Sequence, residues 1–345
     1  MMKNLKKKNA VMIFSVVLFV LGLCSVLTVA SGVKNYKNSL HKSGAGMKHW
    51  YETKGGFMDI TGIPYDDLDC KTCHADNCKK CHEGKAGKKA ADKDLCLGCH
   101  GREKSTFALD KANDCLDVHC EKGMICTDCH VGDEHDDVHG NEGEFKTMRD
   151  PGAVKAKCTN CHEENQEIRS HKVHKGKLDC SACHVKSSVA CLNCHMDSFL
   201  ETGSRKGNFI LAKDWTILIN YQGKVTAGNA MTLVHKDKKF IAYQPYHSHS
   251  VQKTAKDCKD CHGNEATQLI KAGKKVPMLK QEDGKIVNWQ GVVPCAPDSL
   301  EWTYFNKDGD KWVPIVNDEK EVVQMVGYGE PLTEKQIKMM TAPLK

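Results

Sequence analysis

The sequence predicts a chain that is mostly irregular or short-helical, with a small β-containing region towards its C-terminus. Cysteine supplies 20 of the 345 residues and aromatic residues only 6%, so a group other than side chains is expected to fill the interior. One short pattern with two cysteines recurs along residues 70–262, at spacings that leave no room for long elements. Runs of β-branched and aromatic residues begin only after Gly203.

Residues 1–30 are predicted to be a signal peptide or an N-terminal membrane anchor. The basic stretch MMKNLKKKNA leads into an apolar run that ends at Ala30. That run is longer than a usual signal core and long enough to span a bilayer, while Thr28–Ala30 is an acceptable cleavage site. Lipid attachment at Cys24 is disfavoured, because Leu23 stands where a small residue is needed. With no other apolar span in the sequence, residues 31–345 are predicted to be exported to the periplasm or the cell surface.

The pentapeptide Cys-x-x-Cys-His occurs eight times and uses 16 of the 20 cysteines. Chance would give it roughly 0.06 times in a chain of this composition. The first cysteines are Cys70, Cys78, Cys96, Cys126, Cys158, Cys180, Cys191 and Cys258. The second cysteines are Cys73, Cys81, Cys99, Cys129, Cys161, Cys183, Cys194 and Cys261. The histidines are His74, His82, His100, His130, His162, His184, His195 and His262.

The spacing of this repeat fits covalent attachment of haem. Two thiols separated by two residues can each form a thioether with one vinyl group, and the histidine that follows becomes the proximal iron ligand. Zinc is disfavoured, because it closes a tetrahedron from two cysteine pairs and needs no histidine after each pair. Disulfide pairing of these cysteines is disfavoured by the same regular spacing. Eight covalently bound c-type haems are therefore predicted.

Through these motifs the chain resembles the multihaem c-type cytochromes, as an octahaem member, over residues 70–262. The resemblance implies an exported electron-transfer protein whose chain wraps around stacked haems, many with histidine on both sides of the iron. The motifs assign no subfamily. The segment from His74 to Cys78 reaches at most roughly 14 Å, so the first two haems are expected to lie nearly in contact. Cys180 and Cys191 begin a second close pair.

Ten histidines outside the motifs are candidates for the second axial position. The favoured ones are His49, His119, His139, His171, His174, His235, His247 and His249, whereas His41 and His135 are less favoured. His49 is preferred over His41, because Trp50 and Tyr51 beside it offer apolar surface to a porphyrin. The spacing of His171 and His174 would let one helical face serve two neighbouring haems. Any one of these side chains could instead be an ordinary surface histidine.

The favoured function is a relay of single electrons along closely stacked, mostly bis-histidine haems, with no catalytic residue. One alternative is an octahaem oxidoreductase that reduces a small nitrogen or sulfur oxyanion, of the nitrite, hydroxylamine or tetrathionate type. Such an enzyme needs an iron with an open position. It is disfavoured, because no motif carries lysine in place of histidine and the histidines suffice for every iron.

A second alternative is a subunit of an extracellular cytochrome filament, in which His41 or His49 would ligate a haem of the neighbouring subunit. Ligation within the same chain is preferred, since a tethered ligand acts at high effective concentration. The expected partners are other redox proteins, either cytochromes or a quinol-oxidising donor in the membrane. Membrane attachment through the N-terminal segment and self-assembly are both compatible with the sequence.

The positive charge does not indicate a nucleic acid partner. The formal net charge is +6, of which residues 1–30 supply four lysines. Each haem adds two propionates, so eight haems make the mature protein acidic. The lysine-rich residues 79–93 are interpreted as a solvated face, with a docking patch as the alternative. The acidic residues 132–144 are interpreted as a solvated loop rather than a cation site.

The chain is expected to divide into a polar arm (31–69), a seven-haem region (70–200), a β-containing segment with the eighth haem (201–262) and a haem-free region (263–345). Strands are predicted at 215–222, 231–234 and 239–244, with breaks at Gly223 and Gly228. A hairpin is predicted to turn at Asp308–Gly309, and Thr333 with Gln336 forms a capping box. Cys115 and Cys120 are expected to form a disulfide, leaving Cys295 unpaired.

Overall fold

The computed structural model describes residues 39–68, 93–114, 116–130, 145–202, 209–309 and 311–342. Several predictions therefore lie outside the described residues. They concern the signal or anchor, the motifs at Cys70 and Cys78, most of the lysine-rich stretch, Cys115, His135, His139 and the acidic loop. The Cys115–Cys120 disulfide stays a prediction for this reason.

Short helices dominate the N-terminal half of the described chain, because the motifs and the turns between them leave little length for longer ones. They are α1 (Leu40–Ser43), α2 (Ala45–Glu52), α3 (Met58–Thr61), α4 (Lys93–Leu97), α5 (Gly101–Ala112), α6 (Val118–Glu121), α7 (Cys126–Cys129), α8 (Arg169–His174), α9 (Cys180–His184) and α10 (Met196–Thr202). Three more follow among the strands, α11 (Cys258–Cys261), α12 (Glu265–Lys271) and α13 (Glu334–Thr341). Short 3-10 turns occupy Tyr65–Asp67, Cys158–Asn160 and Pro297–Ser299.

Eight of the described strands form one mixed sheet. They are β1 (Ser188–Leu192), β2 (Cys194–His195), β3 (Ile210–Tyr221), β4 (Lys224–His235), β5 (Lys238–Pro245), β8 (Gly291–Pro294), β12 (Val322–Met325) and β13 (Gly329–Glu330). The antiparallel strands β3, β4 and β5 form its centre, with β1 on the outer side of β3 and β12 parallel to β5. Strand β8 runs parallel to β3, and β2 runs parallel to β4.

Two smaller sheets complete the described β-structure. One contains β6 (Val276–Glu282) between β7 (Lys285–Asn288) and β9 (Leu300–Trp302). The other is the hairpin of β10 (Phe305–Asp308) and β11 (Lys311–Pro314). The largest apolar core lies between these sheets and one face of β3, where Ile217 and Ile219 are fully buried. Because strand side chains alternate, Leu218 points to the opposite face and packs with Ala182.

Most of the local β predictions are confirmed. The predicted strands fall within β3, β4 and β5, except that β3 ends at Tyr221, one residue before the predicted end. The hairpin turns at Asp308–Gly309, and Thr333 and Gln336 form the capping box of α13. The predicted break at Gly228 is wrong, because β4 continues through it. A Cβ at that position would lie 2.8 Å from Ile219 Cγ2 and 2.9 Å from the Gln244 carbonyl oxygen. Gly228 is thus required by the close approach of β3 and β5.

The expectation that the seven-haem region (70–200) is irregular or short-helical, with β-structure only after it, is wrong for 188–195. These residues form β1 and β2 and belong to the central sheet. They are drawn into it because Ala190 and Leu192 bury their side chains in the core that β3 lines. The arm also packs on this sheet, since Phe57, Ile60 and Leu68 form a second core with Phe240.

No helix within the described ranges combines the length and the hydropathy that crossing a bilayer requires.

Candidate haem sites

Six of the eight motifs fall in the part of the chain that the structure describes, and five of them share one local conformation. In these five a helical turn carries the two thiols and the histidine close together. The turns are α7, α9, α11, the 3-10 turn Cys158–Asn160 and the end of α4. In four of them the histidine N–H donates to the carbonyl of the first cysteine at 2.8–2.9 Å: His100, His130, His162 and His262. The turn thus holds the two thiols and the imidazole within one closed loop of backbone.

Each of these five motif histidines faces a histidine from outside the motifs. The two ring centroids lie 6.1–6.3 Å apart in every case. The pairs are His100 with His41, His130 with His249, His162 with His119, His184 with His171, and His262 with His174. Four of the five partners belong to the favoured set of distal candidates, and the fifth is His41.

This separation fits two imidazoles on opposite sides of one iron. A metal–nitrogen bond of about 2.0 Å, with about 1.1 Å from nitrogen to ring centroid on each side, gives roughly 6.2 Å. Aromatic pairs in general scatter between about 4.5 and 7 Å. The narrow spread over five pairs, each with one motif and one non-motif histidine, therefore indicates a common spacer. The donor set fits haem iron with both axial positions filled.

Hydrogen bonds at Nδ1 orient several of these rings. His171 Nδ1 donates to the Asn165 carbonyl at 2.9 Å, and His174 Nδ1 donates to the Ser170 carbonyl at 2.9 Å. His119 Nδ1 lies 3.1 Å from Asp117 Oδ1, which also accepts the His119 backbone N–H. An imidazole held through Nδ1 presents Nε2 to a metal and is made a stronger ligand. These contacts therefore leave the iron-facing nitrogen available.

The α8 helix supplies imidazoles to two different motifs. His171 and His174 are three residues apart, and they face His184 and His262 respectively. A spacing of three places both rings on the same side of the helix. Two haems held through α8 would consequently be neighbours.

One hydrogen bond and two electrostatic interactions between thiols place further motifs near one another. The Cys158 and Cys180 thiols hydrogen-bond to each other, which raises the pKa of Cys158 and lowers that of Cys180. Burial raises the pKa of Cys129, and the nearby Cys161 raises it further. Burial likewise raises the pKa of Cys261 to about 12, with a smaller contribution from Cys183. The motifs at Cys126, Cys158, Cys180 and Cys258 thus follow one another in space.

Two cavities open beside the motifs that face α8. One has a volume of about 500 Å³ and is lined by Cys183, His184 and the lysines Lys186 and Lys256. The other has a volume of about 360 Å³ and is lined by His262 and two lysines. Volumes of this order suit an organic cofactor. Lysines on the walls would complement the propionates of a haem.

The sixth described motif has a different conformation. Cys191 lies in β1, and Cys194 and His195 form β2. Between them Asn193 turns the chain with a φ of 52°, in the left-handed region that asparagine tolerates better than most residues. The His195 ring centroid lies 6.3 Å from that of Trp312, not from another imidazole. This motif therefore departs from the pattern of the other five.

Three favoured distal candidates face no motif histidine within the described ranges. They have other contacts: His49 packs on Trp50, and His247 Nε2 lies 3.0 Å from Thr226 Oγ1. His235 Nδ1 lies 2.9 Å from Asp197 Oδ1, in an orientation that does not make a hydrogen bond. Within the same ranges, no group of three or more His, Cys, Asp or Glu side chains could hold a metal ion.

The structure places His41, a less favoured candidate, beside His100, and it places Trp312, which was not among the candidates, beside His195. His41 was less favoured because Gly, Ser and Lys residues surround it in the sequence. In the structure, however, a short helix begins there, at Leu40. The Ser39 side chain accepts the Lys42 N–H and caps α1, which carries His41. A serine before a short apolar-basic run is a recognisable cap signal. Nothing in the local sequence of Trp312 indicates that it lies beside His195.

The comparisons with known proteins found one distant similarity. The dissimilatory sulfite reductase MccA of Wolinella succinogenes is 25% identical over 178 residues, a match that covers 38% of this chain. It covers 24% of that enzyme, so the chain spans about a quarter of the relative's length. No family model matches the chain, and no solved structure matches it. The similarity supports a multihaem redox role with covalently bound haems.

Proposed function

We propose that this chain is an exported octahaem cytochrome c that relays single electrons. The observation that carries the proposal is the set of five histidine pairs with centroids 6.1–6.3 Å apart. Bound haem supplies one-electron redox chemistry at its iron. The paired imidazoles would fill both axial positions and exclude small molecules from them. Such a site suits electron transfer rather than substrate chemistry.

The arrangement of the motifs supports a continuous path through the protein. Interactions between thiols indicate that the motifs at Cys126, Cys158, Cys180 and Cys258 lie near one another, and α8 carries the histidines that face the last two. The motif at Cys96 joins this series through His249, which faces His130 and also lies near His100. The polypeptide would determine the positions of these five attachment sites relative to one another. Electron donors and acceptors at the two ends would be other redox proteins.

The His41–His100 pair bears on the filament alternative. Both histidines belong to the same chain, and their ring centroids lie 6.2 Å apart. The arm that contains His41 is fixed to its own chain by the core of Phe57, Ile60 and Leu68. Ligation within one chain therefore supports a self-sufficient relay over a subunit that depends on its neighbour.

A second candidate function is reduction of a small oxyanion at one haem. Two observations favour it: the distant similarity to a sulfite reductase, and the motif histidine His195, which faces Trp312. The two functions are compatible, because a relay can feed a single reactive site. Sulfite, nitrite and hydroxylamine are the substrates to assay.

Paramagnetic resonance and optical spectra of the oxidised holoprotein test the relay. The five pairs are expected to give low-spin iron that does not bind cyanide. The variant His174→Ala should add one high-spin iron, because His262 then loses the imidazole that faces it. His247→Ala is the matched control, because His247 Nε2 is engaged by Thr226, and it should leave the spin state unchanged. High-spin iron in most of the wild-type haems would contradict the relay.

A further inference from the structure

His195 combines burial with an unpartnered ring nitrogen. Its exposed fraction is 7%, and its Nε2 is buried without a hydrogen-bond partner in the described structure. A buried polar atom normally has a partner, so this nitrogen is directed at a group that the described side chains do not supply. In a Cys-x-x-Cys-His motif that partner is haem iron.

The opposite side of this site is occupied by Trp312. Its ring centroid lies 6.3 Å from that of His195 at an interplanar angle of 47°, the same separation that the five histidine pairs show. Indole has an N–H donor but no lone pair for a metal. Trp312 can therefore cover the distal side of a haem held by His195, but it cannot ligate the iron.

Trp312 is held in this place by the fold. It lies on β11, opposite Lys307 of β10, and packs against the largest core. The hairpin is fastened to the motif itself, because the Asn193 side chain exchanges two hydrogen bonds with the backbone of Phe305. A shift of the whole hairpin away from the motif would have to break this connection, whereas rotation of the Trp312 side chain would not.

His235, a favoured distal candidate, does not take the place of Trp312. It follows Val234, which is paired in register with His195, so its side chain is directed to the other face of the sheet. There it lies against Asp197 of α10. Among the described histidines, none has its ring beside that of His195.

We propose that the haem attached at Cys191 and Cys194 has His195 as its single histidine ligand, and that its sixth position, covered by Trp312, binds a small inorganic ligand with a lone pair, such as sulfite or nitrite, when the indole rotates aside. This proposal rests on the proposed function as a multihaem cytochrome and deepens its second candidate. Trp312 acts as a lid that limits the size of the ligand and keeps water from the site.

Two substitutions of Trp312 in the full-length holoprotein test the assignment. The wild type is expected to show high-spin iron that binds cyanide and sulfite. Trp312→His should convert one iron per chain to low spin and abolish that binding, because it places an imidazole where the five pairs have one. Trp312→Phe keeps an aromatic cover and should retain the high-spin iron while changing the cyanide dissociation constant at least threefold.

The outcomes separate this proposal from the relay. The open site is overturned if Trp312→His leaves the spin state unchanged, or if the wild type has no iron that binds cyanide. In both cases the relay still stands as long as the five pairs give their low-spin signal. Loss of that low-spin signal overturns the relay itself. If Trp312→His does not accumulate, the Trp312→Phe titration decides, and an unchanged cyanide constant overturns the proposal.

Discussion

Asn193 and Phe305 exchange two hydrogen bonds across 112 positions of the chain. The Asn193 side-chain NH₂ donates to the Phe305 carbonyl at 2.8 Å, and the Phe305 N–H donates to Asn193 Oδ1 at 2.9 Å. Both residues are fully buried. The contact joins a Cys-x-x-Cys-His motif to the hairpin that carries Trp312.

Replacing Asn193 by alanine should lower the free energy of unfolding by about 1–3 kcal/mol, because two buried backbone groups of Phe305 lose their partners. Denaturant unfolding followed by circular dichroism measures the change. Asn306→Ala on the same hairpin is the control and should stay within about 0.5 kcal/mol of wild type, since its side-chain contact is at the surface. Equal effects of the two substitutions would contradict the role of Asn193.

His41→Ala should open one iron in the monomer. The ring of His41 is the one that faces His100 within the same chain, so its removal leaves His100 as a single axial ligand. The high-spin fraction is expected to rise by one iron per chain and to be independent of protein concentration. A high-spin fraction that changes with dilution would show that a neighbouring subunit supplies the ligand.

Gly228→Ala should destabilise the central sheet by about 1–3 kcal/mol, as overpacking of a filled core does. The added Cβ would meet Ile219 and the backbone of Gln244 at under 3 Å. Gly101→Ala, at the first residue of α5, has no neighbour within 4 Å at its Cβ and should be close to neutral. Thermal unfolding of both variants measures the difference, and a neutral Gly228→Ala would show that the strands can separate at low cost.

Cys295 should resist alkylation until the protein unfolds. Its side chain is fully buried in the main core, and burial raises the pKa of the thiol, so almost no thiolate is present at neutral pH. Iodoacetamide labelling with peptide mass spectrometry should detect modification of Cys295 only in denaturant. Rapid labelling of the native protein would mean that this core opens readily.

The mature protein should carry eight covalently attached haems. Six of the attachment motifs lie in the described structure, and the thiols and histidine of each sit within one local turn or within two consecutive strands. Intact-mass measurement gives the number directly. A count of seven or fewer would remove a motif from the set, and a count of nine would require a further attachment site, such as Cys115 with Cys120.

The sequence by itself determined the attachment chemistry and the local elements. The Cys-x-x-Cys-His motif places its functional residues within five positions of the chain. The strands, the hairpin at Asp308–Gly309 and the cap at Thr333 also depend on near neighbours in sequence. Local patterns were therefore sufficient to predict them. The strands at 188–192 and 194–195 were missed, because the dense spacing of the motifs predicted only short helices and irregular chain there. Their β conformation comes from pairing with β3 and β4, which lie farther along the chain.

Tertiary structure decided which histidine faces which motif. His41 and His100 are 59 positions apart in the sequence. His119 and His249 are also far in sequence from the histidines that they face, and no local pattern predicts those contacts. Trp312 comes to His195 because sheet pairing and the Asn193–Phe305 contact bring distant segments together. Ligand pairing depends on distance in space, and the packing of the sheet and helices determines that distance, whereas the motif spacing determines only where each haem is attached.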